Sequence, residues 1–340
     1  MPELRKDPVI GRWVIISTER SKRPRDVFVL SQSAEIPNRE CDFCANPQDY
    51  PEIFTLRDSS NPDKWHVMVV PRKNRLLQIE GAIDRRAHGI YDVMNGVGAH
   101  ELVIETPEHI LNIADLPLEI IDKVLSVYAL RMRDLEQDER LRYVLIYKNY
   151  EGKKQRGSIL HSRSNIIALP VNPKRVKEKL SGAKKYYVYH ERCIFCDIIR
   201  QEKDQQVRIV DENDNFIAIS AFASRFPFET WVLPKTHLCD FYKLEPTHYR
   251  DLSLILKRVL LKIKVGLNDP PYSWVFFTAP FRKKRRPGYW MTLEEDFHWH
   301  IEIIPQLTRV AGFEWGTGFY INPMLPEDSA EFLRNIEVDI

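Results

Sequence analysis

Two short cysteine pairs are each followed, far along the chain, by two histidines, and these eight residues are of the types that bind zinc. Thiolate sulfur and imidazole nitrogen are ligands that Zn²⁺ prefers, and a structural site uses four ligands in tetrahedral geometry. The two sets are Cys41, Cys44, His109 and His161 in the first half and Cys193, Cys196, His237 and His298 in the second. We predict from them two zinc ions per chain. Four protein ligands leave no position for water, so such ions stabilise the fold and do not catalyse.

Two other interpretations of the cysteine pairs compete with zinc. In a reducing compartment a Cys-x-x-Cys pair is a metal-binding or a redox motif more often than part of a disulfide scaffold. The cysteines could also be buried thiols, with the histidines as ordinary core residues. The pattern recurs in both halves, each time with histidines in matching places, and this recurrence favours metal. The fifth cysteine, Cys239, stands alone.

Two related motifs place further functional residues beside the predicted zinc ligands. The motif GSILHSRSNIIALP (157–170) carries His161, Arg163 and Asn165, and the motif FHWHIEIIP (297–305) carries His298, His300 and Glu302. Alternate residues of a β-strand point to the same face of the sheet. Each motif therefore predicts a row of three functional side chains on one face, the first of which is a zinc ligand.

The predicted elements follow the same order in both halves, which indicates an internal repeat. Each half has a cysteine pair, strands, one long helix and two further strands that end in the motif. Apolar spacing predicts the helices over roughly 117–135 and 248–265, and the segment 182–192 joins the halves. We predict an α+β fold, mostly antiparallel sheet packed with helices, with two similar halves at 1–182 and 183–340.

The composition is that of a globular protein, and neither its net charge nor its apolar content indicates binding to membranes or nucleic acid. Hydrophobic residues make up 44% of the chain and charged residues 29%, and the net charge is +2. No apolar run approaches the length of a membrane span. The first residues, MPELRKDPVIGRWVIIS, are charged at once and lack the apolar core of a signal peptide. We therefore expect a cytoplasmic protein without a membrane partner.

The chain resembles the galactose-1-phosphate uridylyltransferase family, a branch of the histidine-triad superfamily, over nearly its whole length. The resemblance rests on ELRKDPVIGRWVIISTERSKRP (3–24), CDFC (41–44), ELVIETPEH (101–109), the Lys148-Asn149 pair and FHWHIEIIPQLTRVAGFEWGTGFYINP (297–323). It implies that the two halves are histidine-triad-like. It also implies a zinc-containing nucleotidyltransferase of galactose metabolism that acts on UDP-glucose and hexose 1-phosphates. It also implies a homodimer in which each active site draws residues from both subunits.

The nucleophile of the family is missing from the matching motif. Family members use the second histidine of His-x-His-x-Gln to take the nucleotidyl group and pass it on, which splits one displacement into two steps. By this match His161 is the zinc ligand, Arg163 holds the nucleophile position and Asn165 the glutamine position. A guanidinium stays protonated and offers no lone pair to phosphorus. Arg163 can instead clamp a phosphate; the alternative is an arginine that only fills space after loss of function.

Other substrate-facing positions of the family are also carried over or altered. The positions matched by the resemblance are Arg20, Arg23, Lys73, Asn149, Ser158, Arg163, Asn165, Gly316 and Gly318. The glycine-rich turn before the first motif reads YEGKKQRGS (150–158), and the stretch near the nucleotide reads Arg72-Lys73-Asn74-Arg75. We therefore expect a substrate site whose altered residues make it positively charged.

Two further features, His300 and the basic run at 282–286, each have a functional and a structural interpretation. His300 holds, in the second motif, the position that Arg163 holds in the first, so it could attack phosphate. A hydrogen bond within the second zinc site or at a subunit interface is the favoured role. The basic run at 282–286 could bind nucleic acid or an acidic partner, and a solvated loop is the favoured alternative.

Two classes of function follow. The first is a uridylyltransferase-type enzyme that acts on nucleotide sugars and hexose 1-phosphates, and the whole-chain resemblance supports it. The second is a zinc-stabilised protein that binds nucleotide or phosphate without transferase chemistry, and Arg163 supports it. A covalent nucleotidyl-protein after incubation with a nucleotide sugar would separate them.

Overall fold

The computed structural model describes residues 1–19, 41–152, 160–282 and 291–340, which form one α+β body. The strands are β1 Glu3–Lys6, β2 Trp13–Ile16, β3 Phe54–Arg57, β4 Trp65–Pro71, β5 Arg86–His88, β6 Tyr91–Val93, β7 Ala99–Ile104, β8 Tyr143–Tyr150, β9 Arg163–Leu169, β10 Ile209–Glu212, β11 Phe216–Ser220, β12 Thr230–Pro234, β13 Tyr272–Phe277, β14 His300–Pro305 and β15 Tyr320–Asn322. The helices are α1 Asp42–Ala45, α2 Leu118–Glu136, α3 Lys174–His190, α4 Ile194–Gln205, α5 Tyr249–Gly266, α6 Leu293–Asp296, α7 Gly312–Thr317 and α8 Pro326–Arg334.

A single sheet of ten strands runs through both halves of the chain. Its order is β10-β11-β12-β14-β13-β8-β9-β7-β4-β3, and every neighbouring pair is antiparallel. Read outward from the centre, the first half gives β8-β9-β7-β4-β3 and the second gives β13-β14-β12-β11-β10. The two halves therefore have the same order of strands, and the predicted repeat is confirmed. The halves join where β13 pairs with β8, with Tyr272 opposite Tyr150.

The long helices cover one face of this sheet. Each of α2 and α5 follows the third strand of its half, and its apolar stripe enters the main hydrophobic core. The strands supply the other side of that core by alternation: in β8, Val144, Ile146 and Lys148 are buried, whereas Tyr147 and Asn149 on the opposite face are not. Burial of these apolar faces is the main favourable contribution to folding.

The opposite face of the sheet is covered only at its two ends. Helices α3 and α4 pack on the strands of the second half in a separate core. A smaller core around Phe43 of α1 covers the strands at the far end of the first half. Between them, the face formed by β8, β9 and β13 includes half-buried and exposed residues, and we call this central region the open face.

Most predicted elements are present at nearly the predicted positions. The helix predicted over about 248–265 is Tyr249–Gly266, and the strand WHVMVVP is Trp65–Pro71. The joining segment differs, since the sequence predicts no element there, whereas the structure has α3 at Lys174–His190. Residue 182, the predicted boundary between the halves, lies inside this helix, and the division at that residue stays a prediction. Among the described helices, none combines the length and the apolar character that crossing a bilayer requires.

Gly182 lets the N-terminal segment approach α3 closely, and this contact gives a test of the packing. A Cβ atom added at Gly182 would lie 1.7 Å from the carbonyl oxygen of Val9. Alanine normally stabilises a helix interior relative to glycine. We nevertheless expect Gly182→Ala to lower the free energy of unfolding by about 2 kcal/mol, because the backbone of the N-terminal segment has to move.

Urea denaturation monitored by circular dichroism measures this effect. The matched control is Ser181→Ala, since Ser181 is the exposed neighbour on the same helix, and its change should stay within about 0.5 kcal/mol. A Gly182→Ala protein as stable as the parent would show that this close approach is wrong.

Candidate functional site

The four predicted ligands of the first half lie together at the end of the sheet. Cys41 caps the N-terminus of α1 and Cys44 lies in its last turn. The Cys44 sulfur is 3.4 Å from Nδ1 of His109 and 3.4 Å from Nδ1 of His161. All four ligand atoms lie within 4.8 Å of one another. Ligands about 2.0–2.3 Å from a tetrahedral ion are separated by about 3.5 Å, so the geometry fits a bound metal.

The second half repeats this arrangement. Cys193 caps the N-terminus of α4, and the Cys196 sulfur lies one turn along. It is 3.3 Å from Nδ1 of His237 and 3.6 Å from Nδ1 of His298. These four ligand atoms also lie within 4.8 Å of one another. Both predicted ligand sets are thus assembled by the fold, and each could hold a metal ion.

Hydrogen bonds orient three of the four histidines toward metal binding. Nε2 of His161 lies 2.8 Å from the Thr106 carbonyl oxygen, Nε2 of His237 lies 2.8 Å from that of Glu294, and Nε2 of His298 lies 2.9 Å from that of Pro234. A carbonyl only accepts, so Nε2 carries the proton and Nδ1 keeps its lone pair. This arrangement is typical of metal-bound histidine. Burial also lowers the pKa of His161, which favours its neutral form.

Arg163 begins β9 two residues after His161 and lies at the edge of the open face. Its Nη1 donates to the His161 carbonyl oxygen at 3.1 Å. Burial lowers the pKa of Arg163, and the nearby Arg72 guanidinium lowers it further, whereas the Glu151 carboxylate raises it. Nη1 of Arg72 lies 3.5 Å from Oδ1 of Asn165, which is two residues after Arg163 on β9. Arginine remains charged across the physiological range, so the site presents positive charge.

Asn165 lies next on the same face, where the oxygen of its side chain faces two donors. Leu76 donates its backbone N–H to Nδ1 of His100 at 3.2 Å, so the proton of this imidazole is on Nε2. Nε2 of His100 lies 3.4 Å from Oδ1 of Asn165, and Nη1 of Arg72 lies 3.5 Å from the same oxygen. Both distances are long for hydrogen bonds. Burial lowers the pKa of His100, which keeps its ring neutral.

Asn149 extends the open face onto β8. β8 and β9 are paired with Tyr147 opposite Asn165, so Asn149 lies two residues further along β8 on the face of Tyr147. Ser273 of the second half donates its hydroxyl to Oδ1 of Asn149 at 2.8 Å, and Gln306 donates to Ser273 at 2.8 Å. The junction of the two halves therefore supplies part of the open face.

A buried ion pair supports β9 from the opposite face. Nζ of Lys148 lies 2.6 Å from Oε2 of Glu105, and it also donates to the Arg163 carbonyl oxygen at 3.0 Å. Both side chains are almost completely buried. Removing one partner of such a pair leaves a buried charge without compensation. Lys148 thus fixes the backbone that carries Arg163 and does not itself reach the open face.

The second half closes the position that corresponds to Arg163. His300 is completely buried and stacked against Phe277 and Trp231, with ring centroids 5.2 and 5.4 Å away. Its Nδ1 donates to the His298 carbonyl oxygen at 3.0 Å, so its remaining lone pair is on Nε2. The Lys179 ammonium donates to that Nε2 at 2.9 Å. His300 therefore has no accessible lone pair with which to attack phosphorus.

Lys179 is held in this position by the rest of the second half. Its Nζ lies 2.7 Å from Oε1 of Glu302 and 4.6 and 4.5 Å from the ring centroids of Trp231 and Phe277. Burial and this ammonium together lower the pKa of His300 well below its ordinary value. Lys179 comes from α3, the helix that the sequence did not predict, so this closure was not predicted either.

The remaining predicted substrate positions are scattered. Lys73 lies 3.3 Å from Asp42 and 3.4 Å from Asp49, over the ring of Tyr50, close to the first metal cluster. Gly316 is in α7 and Gly318 ends it at φ 71°, in open space beside exposed Trp315. Arg20, Arg23 and Ser158 lie outside the described residues, as do the residues of the basic run other than Arg282, which pairs with Asp240.

Sequence reasoning missed three residues that shape the site. His100, Lys179 and Ser273 contact Asn165, His300 and Asn149 respectively. Strand alternation could have put His100 on one face of β7, but the partner strand that it meets follows only from the order of the sheet. No local signal in the sequence distinguishes Lys179 from the other lysines of α3.

Comparison with known proteins places the whole chain in one family. Residues 1–173 match the N-terminal domain, and residues 179–334 the C-terminal domain, of galactose-1-phosphate uridyl transferase. The ADP-glucose phosphorylase of Arabidopsis thaliana is 35% identical over 346 residues, which cover 99% of this chain and 93% of that protein. The galactose-1-phosphate uridylyltransferase of Thermotoga maritima is 29% identical over 347 residues, which cover both chains completely.

Solved structures give the same result. A crystal structure of an ADP-glucose phosphorylase from Arabidopsis thaliana with bound ADP-glucose superposes with a TM-score of 0.83 at 33% identity, covering 99% of this chain and 100% of that one. A uridylyltransferase structure superposes with a TM-score of 0.73 at 27% identity, covering 98% and 97%. The two matched domains and the agreement of fold over the full length lead to one conclusion. The chain belongs to the galactose-1-phosphate uridyl transferase family.

Proposed function

We propose that this protein binds nucleotide sugars, hexose 1-phosphates or related phosphate esters on the open face near Arg163, without forming a covalent nucleotidyl-histidine. The observation that carries the proposal is the position of two guanidinium groups near Asn165: Nη1 of Arg72 lies 3.5 Å from its Oδ1, and Arg163 lies two residues before it on β9. Arginine cannot supply the nucleophilic lone pair, but its planar donors match phosphate oxygens. The Arabidopsis relative that was solved with ADP-glucose supports a ligand of this class.

Transferase activity is the second candidate, because the matched relatives are named as enzymes over their full length. A two-step transfer through this site needs a nucleophile, and the two candidate positions do not provide one. Arg163 has no lone pair, and the lone pair on Nε2 of His300 accepts a hydrogen bond from the Lys179 ammonium. The role of each motif in binding or catalysis therefore has to be tested directly.

The first test measures ligand binding and covalent transfer together. Arg163→Gln should weaken binding of ADP-glucose or UDP-glucose by about 10- to 100-fold, since a hydrogen bond to a charged group contributes about 1.5–3 kcal/mol. The weakening should shrink as salt rises. Isothermal titration calorimetry gives the affinities, and intact-mass spectrometry after incubation should show no added nucleoside monophosphate.

The matched control is Arg57→Gln, at an exposed arginine of β3 that pairs with Glu52, and it should bind as the parent does. A stable nucleotide adduct mapped to any histidine would establish the transferase and refute non-covalent binding. An adduct on His300 would also show that the second half opens. Unchanged affinity in Arg163→Gln would remove Arg163 from the site.

We further propose that both metal clusters hold zinc, with Cys41, Cys44, His109 and His161 around one ion and Cys193, Cys196, His237 and His298 around the other. The donor set of two thiolates and two imidazoles suits Zn²⁺, and closed sites of this kind stabilise the fold. Thiolates bind metal only while they stay reduced, which fits the cytoplasmic location that we propose.

Elemental analysis of purified protein should find two zinc ions per chain. Cys44→Ser should reduce this to one, and chelation should lower the melting temperature. Cys239→Ser is the control, because Cys239 lies outside both clusters, and it should keep both ions. One ion or none in the parent protein would contradict the proposal.

We also propose a homodimer in which α7 of one subunit helps to complete the open face of the other. Phe313 and Trp315 of α7 have exposed fractions of 45% and 79%, and exposed aromatic residues are typical of protein interfaces. Light scattering should report twice the chain mass at micromolar concentration, and Trp315→Ser should shift it toward the monomer. A monomer over a wide range of concentrations would refute this assembly.

A further inference from the structure

A cavity of about 360 Å³ lies in the second half of the chain, away from the open face. Its floor is formed by Ile219 of β11 and Trp231 of β12, which are paired directly across the two strands. Ile194 and Ile198 of α4 form one wall. The described residues that line the cavity include none from β8, β9 or β13. The cavity is therefore separate from the site proposed above.

Small side chains leave this space unfilled. Ala221 and Ala223, which follow β11, line the cavity and are almost completely buried. A larger apolar residue at either position would occupy part of the volume. An apolar cavity of about 150 Å³ is enough to bind benzene, so the space here can hold a larger ring system. The lining also includes Lys6 and Phe222, which are exposed, so a ligand can enter from solvent beside them.

One polar group of the lining lacks a partner. The described lining includes three acidic residues. Asp7 accepts a hydrogen bond from Arg12, and Asp197 is engaged in the same way. Glu202 is buried, with an exposed fraction of 3%, and its Oε2 has no hydrogen-bond partner among the residues that the structure describes. A buried acceptor without a partner is unfavourable, and a ligand that donates to Glu202 would satisfy it.

The charges around Glu202 are already balanced. Arg208 donates to Oε1 of Glu202 at 3.0 Å and pairs with Glu327 at 2.8 Å. Arg5 pairs with the same Glu327 at 2.9 Å. Glu3, a further partner of Arg5, has a half-exposed side chain, so water compensates its charge. A charged ligand would bring an uncompensated charge into a largely apolar cavity, which is costly, whereas a neutral donor would not.

We propose that this cavity binds a neutral, compact apolar molecule, such as an aromatic heterocycle, that donates one hydrogen bond to Glu202. The body of the ligand packs against Ile219 and Trp231, and its N–H or O–H group satisfies Oε2 of the carboxylate. The second half then has a ligand site of its own. This inference goes beyond the proposed function and does not depend on it, because the cavity and the open face share no residue.

Indole and 1-methylindole test the proposal as a matched pair. Methylation removes the hydrogen-bond donor of indole and makes the molecule slightly larger and more apolar, so burial alone favours the methylated compound. We expect indole to bind about tenfold more tightly, because a hydrogen bond to a charged acceptor outweighs the burial of one methyl group. Ligand-observed NMR titration of the full-length protein measures both dissociation constants.

Two variants connect the binding to this cavity. In Glu202→Gln the amide oxygen accepts from Arg208, so an NH₂ group, which only donates, replaces Oε2. The preference for indole should then disappear. Ile198→Trp fills the cavity from α4 and should prevent measurable binding of both probes. The matched controls are Glu331→Gln on α8 and Lys203→Trp on α4, both at exposed positions, and they should bind both probes as the parent does.

Every outcome decides the proposal. Binding of 1-methylindole as tightly as indole, or no binding of either probe, would overturn it. A preference for indole that survives Glu202→Gln would show that Glu202 is not the acceptor, and binding retained in Ile198→Trp would place the ligand elsewhere. Circular dichroism shows whether Glu202→Gln is folded, and if it is not, the two probes in the parent and in Ile198→Trp decide. Failure on any of these counts leaves the proposed function standing.

Discussion

The pairing of β8 with β13 is the interaction on which the rest of the structure depends. It joins two five-stranded halves into one sheet, in the register that sets Tyr272 opposite Tyr150 and Ser273 opposite Asn149. The large aromatic and aliphatic side chains on one face of these strands enter a single core with α2 and α5. On the other face the same register places the Ser273 hydroxyl against Asn149. A slip by one residue would turn every side chain of a strand to the opposite face, so stability and the site depend on the same hydrogen bonds.

The two halves use one architecture for different purposes. Two residues after a histidine of each Cys/His cluster, the first half has Arg163 at the edge of the open face and the second has His300 in a closed core. The difference at this position comes from α3, which brings Lys179 onto His300, whereas Arg163 stays partly exposed. A buried lysine next to a histidine is tolerated because Glu302 and two aromatic rings compensate its charge. The second half therefore closes this position, whereas the first half leaves Arg163 partly exposed.

The two Cys/His clusters are built in the same way. The start of a helix supplies two sulfurs, and segments that follow one strand and precede another supply the two nitrogens. Backbone carbonyls hold the imidazole rings so that Nδ1 faces the sulfurs. In the first half this fixes His161, and through it the backbone carbonyl to which Arg163 donates. This hydrogen bond therefore links Arg163 to His161, two residues before it. In the second half, His300 is linked to His298 in the same way.

The sequence by itself determined the ligand sets, the repeat, the class of fold and most strands and helices. These depend on residue type and on local periodicity, since Cys-x-x-Cys spacing, strand alternation and helical apolar spacing are all visible in one dimension. Only the tertiary structure decided that Arg72 and His100 lie beside Asn165, that Ser273 donates to Asn149, and that Lys179 closes the second half. The physical reason is that these contacts join residues from different strands and helices. Their meeting depends on sheet order and register, which no local pattern encodes.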